Sequence, residues 1–62
     1  MDCTILNLLT RDGAVTVEFY PALVAEHYSE LHEAVREAET ADALRACVRL
    51  LATKWGHRVV FA

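Results

Sequence analysis

Hydrophobic and polar residues in the first twenty positions follow a pattern typical of two β-strands. From Ala14 to Tyr20 every second residue is large and apolar, which is the period-two pattern of a strand with one buried face. From Cys3 to Thr10 apolar residues occupy both faces, as in a strand covered on both sides. Asp12-Gly13 lies between the segments and predicts a two-residue hairpin turn, because type I′ turns need positive φ at both central positions.

A turn at Asp12-Gly13 fixes the register of the two strands. It pairs Arg11 with Ala14, and the register then continues as Thr10 with Val15, Leu8 with Val17, and Leu6 with Phe19. The apolar members of these pairs share one face, which we expect to be the core, so turn chemistry and hydrophobic pattern agree. The opposite, uncovered face then carries Ile5, Asn7, Leu9, Thr16, Glu18 and Tyr20.

After Pro21 the apolar spacing changes to alternating fours and threes, which predicts an amphipathic helix. Its apolar stripe consists of Val24, Tyr28, Leu31, Val35 and Ala38, and another side carries Glu26, Glu30, Glu33 and Glu37. Thr40 is a suitable N-cap for a second helix, which runs to about Trp55 and has Gly56 as its C′ residue. Its stripe consists of Leu44, Cys47, Val48, Leu51 and Trp55, and His57 to Phe61 predicts a final short strand.

The short connection between the helices predicts that they are antiparallel neighbours. They return the chain to the end of the sheet where the second strand finishes, so the last strand runs antiparallel to the second and parallel to the first. Because the first strand is apolar on both faces, we expect it in the middle, in the strand order 2-1-3. The prediction is a single α+β domain over residues 1–62: two-layer ββααβ, with a three-stranded mixed sheet covered on one face by an antiparallel helical hairpin.

Size, composition and charge narrow the class of protein. Of the 62 residues, 55% are hydrophobic, and a chain this short buries only about 60% of its unfolded surface, so a partner surface is expected. The net charge of −3 gives no basic excess for nucleic acid. No segment approaches the roughly 20 apolar residues of a membrane span. With no signal-peptide pattern, Cys3 and Cys47 are interpreted as reduced thiols of a cytoplasmic protein.

A metal site was considered among His27, Glu30, His32 and Glu33 of the first helix. The two histidines are five residues apart, whereas ligating pairs on a helix usually sit at i and i+4, so we expect a solvated polar face and no metal. The acidic row of the same helix is interpreted as a surface that forms ion pairs with Arg36, Arg45 or Arg49.

His57 with Cys3 or Cys47 is a candidate base and nucleophilic thiol for catalysis. A nucleophilic thiol needs an adjacent base inside a pocket, and a two-layer domain of this size has little room for the usual pocket of roughly 300 Å³ or more. We therefore expect no catalytic residue, no cofactor and no small-molecule pocket.

The leading hypothesis is a small interaction protein without catalytic activity, either a homodimer or a subunit or adaptor of a larger assembly. Its candidate interaction surface is the uncovered sheet face, represented by Ile5, Leu9, Thr16, Glu18 and Tyr20, together with the strand edge at Ala14 to Tyr20. The alternative is a nucleic-acid-associated or regulatory factor that uses the Arg45/Arg49 helix face, within a candidate basic patch of Arg45, Arg49, Lys54 and Arg58. A small metal-binding protein or enzyme is the third hypothesis.

Overall fold

The computed structural model describes residues 2–62 and contains the five predicted elements in the predicted order. Strands β1 (Thr4–Thr10) and β2 (Gly13–Tyr20) form a hairpin. Helices α1 (Ala25–Glu37) and α2 (Ala41–Trp55) follow, and the last element is β3 (Arg58–Phe61). The three strands form one antiparallel sheet. The protein is therefore a small α+β fold, as the sequence predicts.

The strand order is β1-β2-β3, so the predicted order 2-1-3 and the mixed sheet are wrong. β2 is the central strand, because it pairs with β1 along its length and with β3 from Val17 to Tyr20. The apolar residues on both faces of β1 caused the error: Ile5 and Leu9 are exposed side chains of an edge strand. Much of the strand edge predicted to be open at Ala14 to Tyr20 is thus occupied by β3, and β1 forms one edge of the sheet.

The hairpin turn lies at Arg11-Asp12, and Thr10 pairs with Gly13. Every pair is therefore shifted by two positions from the predicted register, but an even shift leaves each side chain on its predicted face. In residues 2–62 no residue other than glycine has a positive φ, and Gly13 has a φ of 150°. Asp12 therefore cannot adopt the type I′ geometry, and the glycine begins β2 instead.

The two helices differ in how closely they follow the prediction. α2 is confirmed: the Thr40 hydroxyl accepts a hydrogen bond from the Ala43 N–H at 3.1 Å, and Gly56 ends the helix in the left-handed region with a φ of 78°. α1 begins later than predicted, at Ala25, with Val24 as its N-cap. Val24 and Tyr28 are exposed rather than part of a buried stripe.

The core lies between β2 and the helices. Its buried members are Val15, Val17, Phe19, Leu31, Leu44, Val48 and Ala52. The three β2 members share one face of the sheet, so both helices lie on that side. His27 near the start of α1 stacks on Trp55 at the end of α2, which means that the helices run in opposite directions. The opposite sheet face, called the outer face below, leaves Ile5, Leu9 and Val60 exposed.

The hairpin turn is tied to the start of α2 through Asp12. Its Oδ1 accepts hydrogen bonds from the Ala41 backbone N–H at 2.8 Å and from the Thr10 hydroxyl at 2.9 Å. The positive end of a helix dipole favours a negative charge at this place. The Ala41 N–H, followed by the Thr10 hydroxyl, lowers the pKa of Asp12 below 3.8. The carboxylate thus joins the hairpin to the helical layer and caps α2 together with Thr40.

We expect the ionised form of Asp12 to stabilise the fold at neutral pH. Because the folded protein lowers its pKa, this stabilisation is present above the unfolded value and is lost as pH falls through the lower folded value. Asp12→Asn should lower the urea midpoint at pH 7 and flatten its fall as pH decreases below about 4. Urea titrations across this range measure the effect, with Asp2→Asn as the control for net charge. An equal change in both variants would contradict a specific role for Asp12.

Candidate functional site

The five predicted interaction residues share the outer face. Ile5 lies opposite Glu18 across the β1–β2 pair, and Leu9 lies opposite Ala14. On the other side, Val60 lies opposite Glu18, which adds an exposed apolar side chain that sequence reasoning missed. Val59 and Val60 are both apolar, so only the pairing of β3 with β2 shows which of them points outward.

The polar side chains of the outer face already have partners within the chain. The Thr16 hydroxyl donates to Asn7 Oδ1 at 3.2 Å, and the Tyr20 hydroxyl donates to Glu18 Oε1 at 2.6 Å. This second hydrogen bond raises the pKa of Tyr20 above 10.0, since it holds the phenol proton against a carboxylate. The Arg58 guanidinium lies 4.7 Å from the centre of the Tyr20 ring.

The apolar side chains of the outer face have no such cover. Ile5 is 61% exposed, Leu9 is 71% exposed and Val60 is 42% exposed. Burial of large apolar side chains is favourable in proportion to the area removed from water. Contact with another surface would therefore stabilise this face chiefly through Ile5, Leu9 and Val60, while the paired polar side chains hold its shape.

The backbone of β1 presents unpaired groups along its outer edge. The Ala62 N–H donates to the Thr16 carbonyl at 3.0 Å, so the Thr16 backbone faces β3. In an antiparallel ladder the opposite residue, Asn7, must then direct its own N–H and C=O away from β2. Ile5 and Leu9, two positions away on either side, do the same. Within residues 2–62, no backbone hydrogen bond outside the sheet ladders reaches these three residues.

The β1 edge also lacks the features that protect natural sheet edges. Its seven residues, TILNLLT, contain no charge, no proline and no glycine, whereas edge strands usually carry charged residues, proline or bulges that block pairing with another chain. β1 is thus an open, uncharged template for strand pairing.

A groove of about 380 Å³ runs between the β1 edge and α1. The core-face residues Leu6 and Leu8 are only half-buried, because the core is centred under β2 and not under the edge strand. The side chains that line the groove are Leu6, Asn7, Leu8, Leu9, Tyr28, Leu31, His32 and Val35. The open edge therefore has an apolar surface on both sides, the outer face on one and this groove on the other.

A second groove, of about 450 Å³, separates α1 from α2. Both grooves exceed the roughly 300 Å³ for which a domain of this size was expected to lack room. Three members of the acidic row lie along it, and apolar side chains form most of the remaining surface: Glu30, Glu33, Glu37, Ser29, Ala34, Cys47, Leu50 and Leu51. Lys54 of α2 pairs with Glu30 at 3.2 Å. The acidic row is exposed, as predicted.

The four residues of the candidate basic patch do not converge on one surface. Each has its own partner: Arg45 pairs with Asp42 at 2.8 Å, Lys54 with Glu30 at 3.2 Å, and Arg49 and Arg58 lie over the rings of Phe61 and Tyr20 at 4.8 and 4.7 Å. Lys54 reaches toward α1, while Arg58 lies on the outer face of the sheet. A nucleic-acid site needs several cations directed at neighbouring phosphates, whereas each of these four side chains contacts a partner within the chain.

A ring cluster that sequence reasoning missed connects α1, the end of α2 and His57, the residue before β3. The His27 ring stacks on Trp55 with centres 3.9 Å apart, and His57 meets His27 edge-on at 5.3 Å. The Nδ1 atoms of both histidines are buried, and neither has a hydrogen-bond partner in residues 2–62. A helical stripe of His27, Leu31, Ala34 and Ala38 has the same spacing of fours and threes as the predicted stripe. The sequence therefore contained a pattern that could have placed His27 on the inward side of α1.

The two histidines weighed as metal ligands lie in different surroundings. His27 packs inward against Trp55, whereas His32 is exposed. Among the side chains of residues 2–62, no three histidine, cysteine or carboxylate groups lie close enough together to hold a metal ion. The ring cluster is therefore a packing contact between α1 and the end of α2.

The chain matches no protein family, and comparisons with curated proteins and with solved structures find no match. In the described part of the chain, neither helix has the length and apolarity needed to cross a membrane. The outer face, the β1 edge and the groove beside it are the features of this chain that bear on its function.

Proposed function

We propose that this protein is a small interaction module without catalytic activity, which forms a homodimer through the outer face and the β1 edge. The observation that carries the proposal is that Ile5 and Leu9, 61% and 71% exposed, lie on an edge strand whose backbone groups are unpaired. Exposed apolar side chains are common singly, but here they coincide with an open and uncharged edge. A symmetric dimer is the commonest assembly for such a surface.

The free energies of burial and association show why a dimer needs both the apolar side chains of the outer face and the backbone hydrogen bonds of the β1 edge. Burial of Ile5 and Leu9 contributes at most roughly 1.5–3 kcal/mol each, and association costs about 4–15 kcal/mol in lost freedom. A micromolar dimer requires about 8 kcal/mol net, so these side chains alone fall short. Backbone hydrogen bonds along an edge add roughly 0.5–1.5 kcal/mol each. The edge that supplies them is β1, because β3 occupies much of the β2 edge.

The cysteines agree with a cytoplasmic location for this module. Cys3 and Cys47 are both unpaired thiols in the structure, and thiols remain reduced in the cytosol. Neither thiol is required for the proposed association.

The test is sedimentation equilibrium over roughly the 5–200 µM range, where a micromolar dimer changes its population. We expect the wild-type chain to dimerise, and Leu9→Lys to weaken the dimer at least about tenfold, because it places a charge in the contact. Leu50→Lys is the matched control, since Leu50 is 73% exposed on α2. A wild-type monomer at every concentration would contradict the proposal, as would equal weakening by both substitutions.

A further inference from the structure

The sequence of β1 is nearly a palindrome about its central residue. Read from either end, TILNLLT has Thr4 matched by Thr10, Ile5 by Leu9, and Leu6 by Leu8, with Asn7 in the middle. When two copies of this strand pair antiparallel with Asn7 opposite Asn7, each threonine faces a threonine. Each large aliphatic residue likewise faces another aliphatic residue. Cross-strand pairs of apolar residues stabilise a sheet, and like charges directly opposite would destabilise it; β1 has no charges.

We propose that two copies of the chain pair through their β1 strands, antiparallel and in register, with the two-fold axis passing between their Asn7 residues. The result is one six-stranded antiparallel sheet. This inference rests on the proposed function and specifies its partner and register: the partner is a second copy, and Ile5 of one copy faces the partner's Leu9.

The direction of the backbone groups allows this register. Antiparallel pairing joins residues that both direct their N–H and C=O toward the partner strand, and on the open edge these are Ile5, Asn7 and Leu9. The axis at Asn7 pairs Asn7 with its copy and Ile5 with the partner's Leu9. A shift of the register by one residue would place residues whose N–H and C=O point toward the partner strand opposite residues whose N–H and C=O point toward β2. Of the allowed registers, the one centred on Asn7 overlaps all seven residues of β1.

The two-fold axis of an antiparallel strand pair is perpendicular to the sheet, so both α1 helices lie on the same side of the extended sheet. The two grooves beside the β1 edges then meet at the junction and enclose Leu6 and Leu8 with the same residues of the partner. Around α1, the side toward this junction carries Tyr28, His32 and Val35. The acidic residues Glu30, Glu33 and Glu37 line the opposite groove, toward α2. The junction is therefore free of the repulsion that an acidic helix face would cause.

The outer face gains a matching surface from the same operation. Ile5 and Leu9 of each copy form an apolar stripe across the strand pair, interrupted by the two Asn7 side chains. Asn7 Oδ1 already accepts from the Thr16 hydroxyl, which leaves the amide N–H groups of Asn7 available to the partner's Asn7. One symmetry operation therefore brings Ile5 beside the partner's Leu9, pairs the unpaired backbone groups and encloses the groove.

The register is tested by opposite charges at the two-fold axis. Asn7→Lys and Asn7→Asp each place two like charges opposite one another across the axis, so each variant alone should weaken the dimer several-fold, up to about fivefold. An equimolar mixture should recover dimerisation as a heterodimer, because opposite charges then face each other. Sedimentation equilibrium measures the association, native mass spectrometry identifies the heterodimer, and circular dichroism verifies that each variant is folded.

Leu50→Lys and Leu50→Asp are the matched controls, because Leu50 is 73% exposed on α2 and lies outside the proposed contact. Each should dimerise nearly as the wild-type chain does, without a gain on mixing. If the two Asn7 variants dimerise as the wild type does, or if their mixture stays monomeric, pairing through Asn7 is wrong while association by another surface stands. A monomeric wild-type chain would instead contradict the proposed function itself.

Discussion

Phe19→Ala is expected to unfold a large part of the protein population in the absence of denaturant. Phe19 is fully buried on the central strand, between Thr4 of β1 and Val59 of β3. Truncation of a buried phenylalanine costs about 3–5 kcal/mol, because it removes apolar contacts and leaves a cavity. At roughly 0.05–0.15 kcal/mol per residue, the total stability of a chain of this length is about 3–9 kcal/mol, so the loss is comparable to the whole.

Urea denaturation followed by circular dichroism measures this effect. Phe19→Leu keeps most of the buried volume and should lose much less stability than the alanine variant. Leu50→Ala is the surface control and should change the free energy of unfolding by no more than about 0.5 kcal/mol. A Phe19→Ala midpoint close to that of the wild type would show that Phe19 is not at the centre of the core.

The face of each strand residue could be predicted because it depends on local alternation. The turn lies at Arg11-Asp12 and not at Asp12-Gly13, yet the resulting shift by two positions kept Val15, Val17 and Phe19 on the core face. The ends of α2 were predictable for a similar reason. Thr40 and Gly56 each satisfy a requirement of the backbone at their own position.

The strand order could not be predicted from the same information. Apolar residues on both faces of β1 are compatible with a central strand and with an edge strand that exposes Ile5 and Leu9. The deciding fact is that β3 pairs with β2, and this depends on where α2 and Gly56 deliver the chain. No local pattern within β1 contains that information.

The candidate surface was predicted in part. Ile5 and Leu9 follow from alternation, whereas Val60 requires the pairing of β3, and the unpaired backbone of the β1 edge requires the strand order. The sequence predicts His27 on a polar face because the helical period of α1 allows two neighbouring apolar stripes, only one of which includes His27. The contact of His27 with Trp55 shows that this second stripe faces inward. The face of each strand residue and the ends of α2 were therefore predictable, whereas the strand order and the inward side of α1 depend on how elements pack and were not.

Leu31 and Leu51 were both expected in the layer between helices and sheet, and the structure now separates them. Leu31 is 2% exposed and is the one buried residue of α1, while Leu51 is half-buried and lines the groove between the helices. Leu31→Ala should cost about 2–5 kcal/mol. Leu51→Ala should cost less, since part of its side chain already contacts water, and its apolar area lost from burial is smaller.

The ring cluster provides a readout specific to α1. His27 stacks on Trp55, the one tryptophan of the chain, at 3.9 Å, so detachment of α1 from the rest of the fold changes the environment of the fluorophore. Leu31 is the main anchor of α1, so in Leu31→Ala we expect the Trp55 fluorescence transition in urea to precede the transition in circular dichroism. In Leu51→Ala the two transitions should coincide. If both substitutions lower the free energy of unfolding equally, α1 is not held to the core chiefly by Leu31. The same follows if the fluorescence and circular dichroism transitions coincide in both variants.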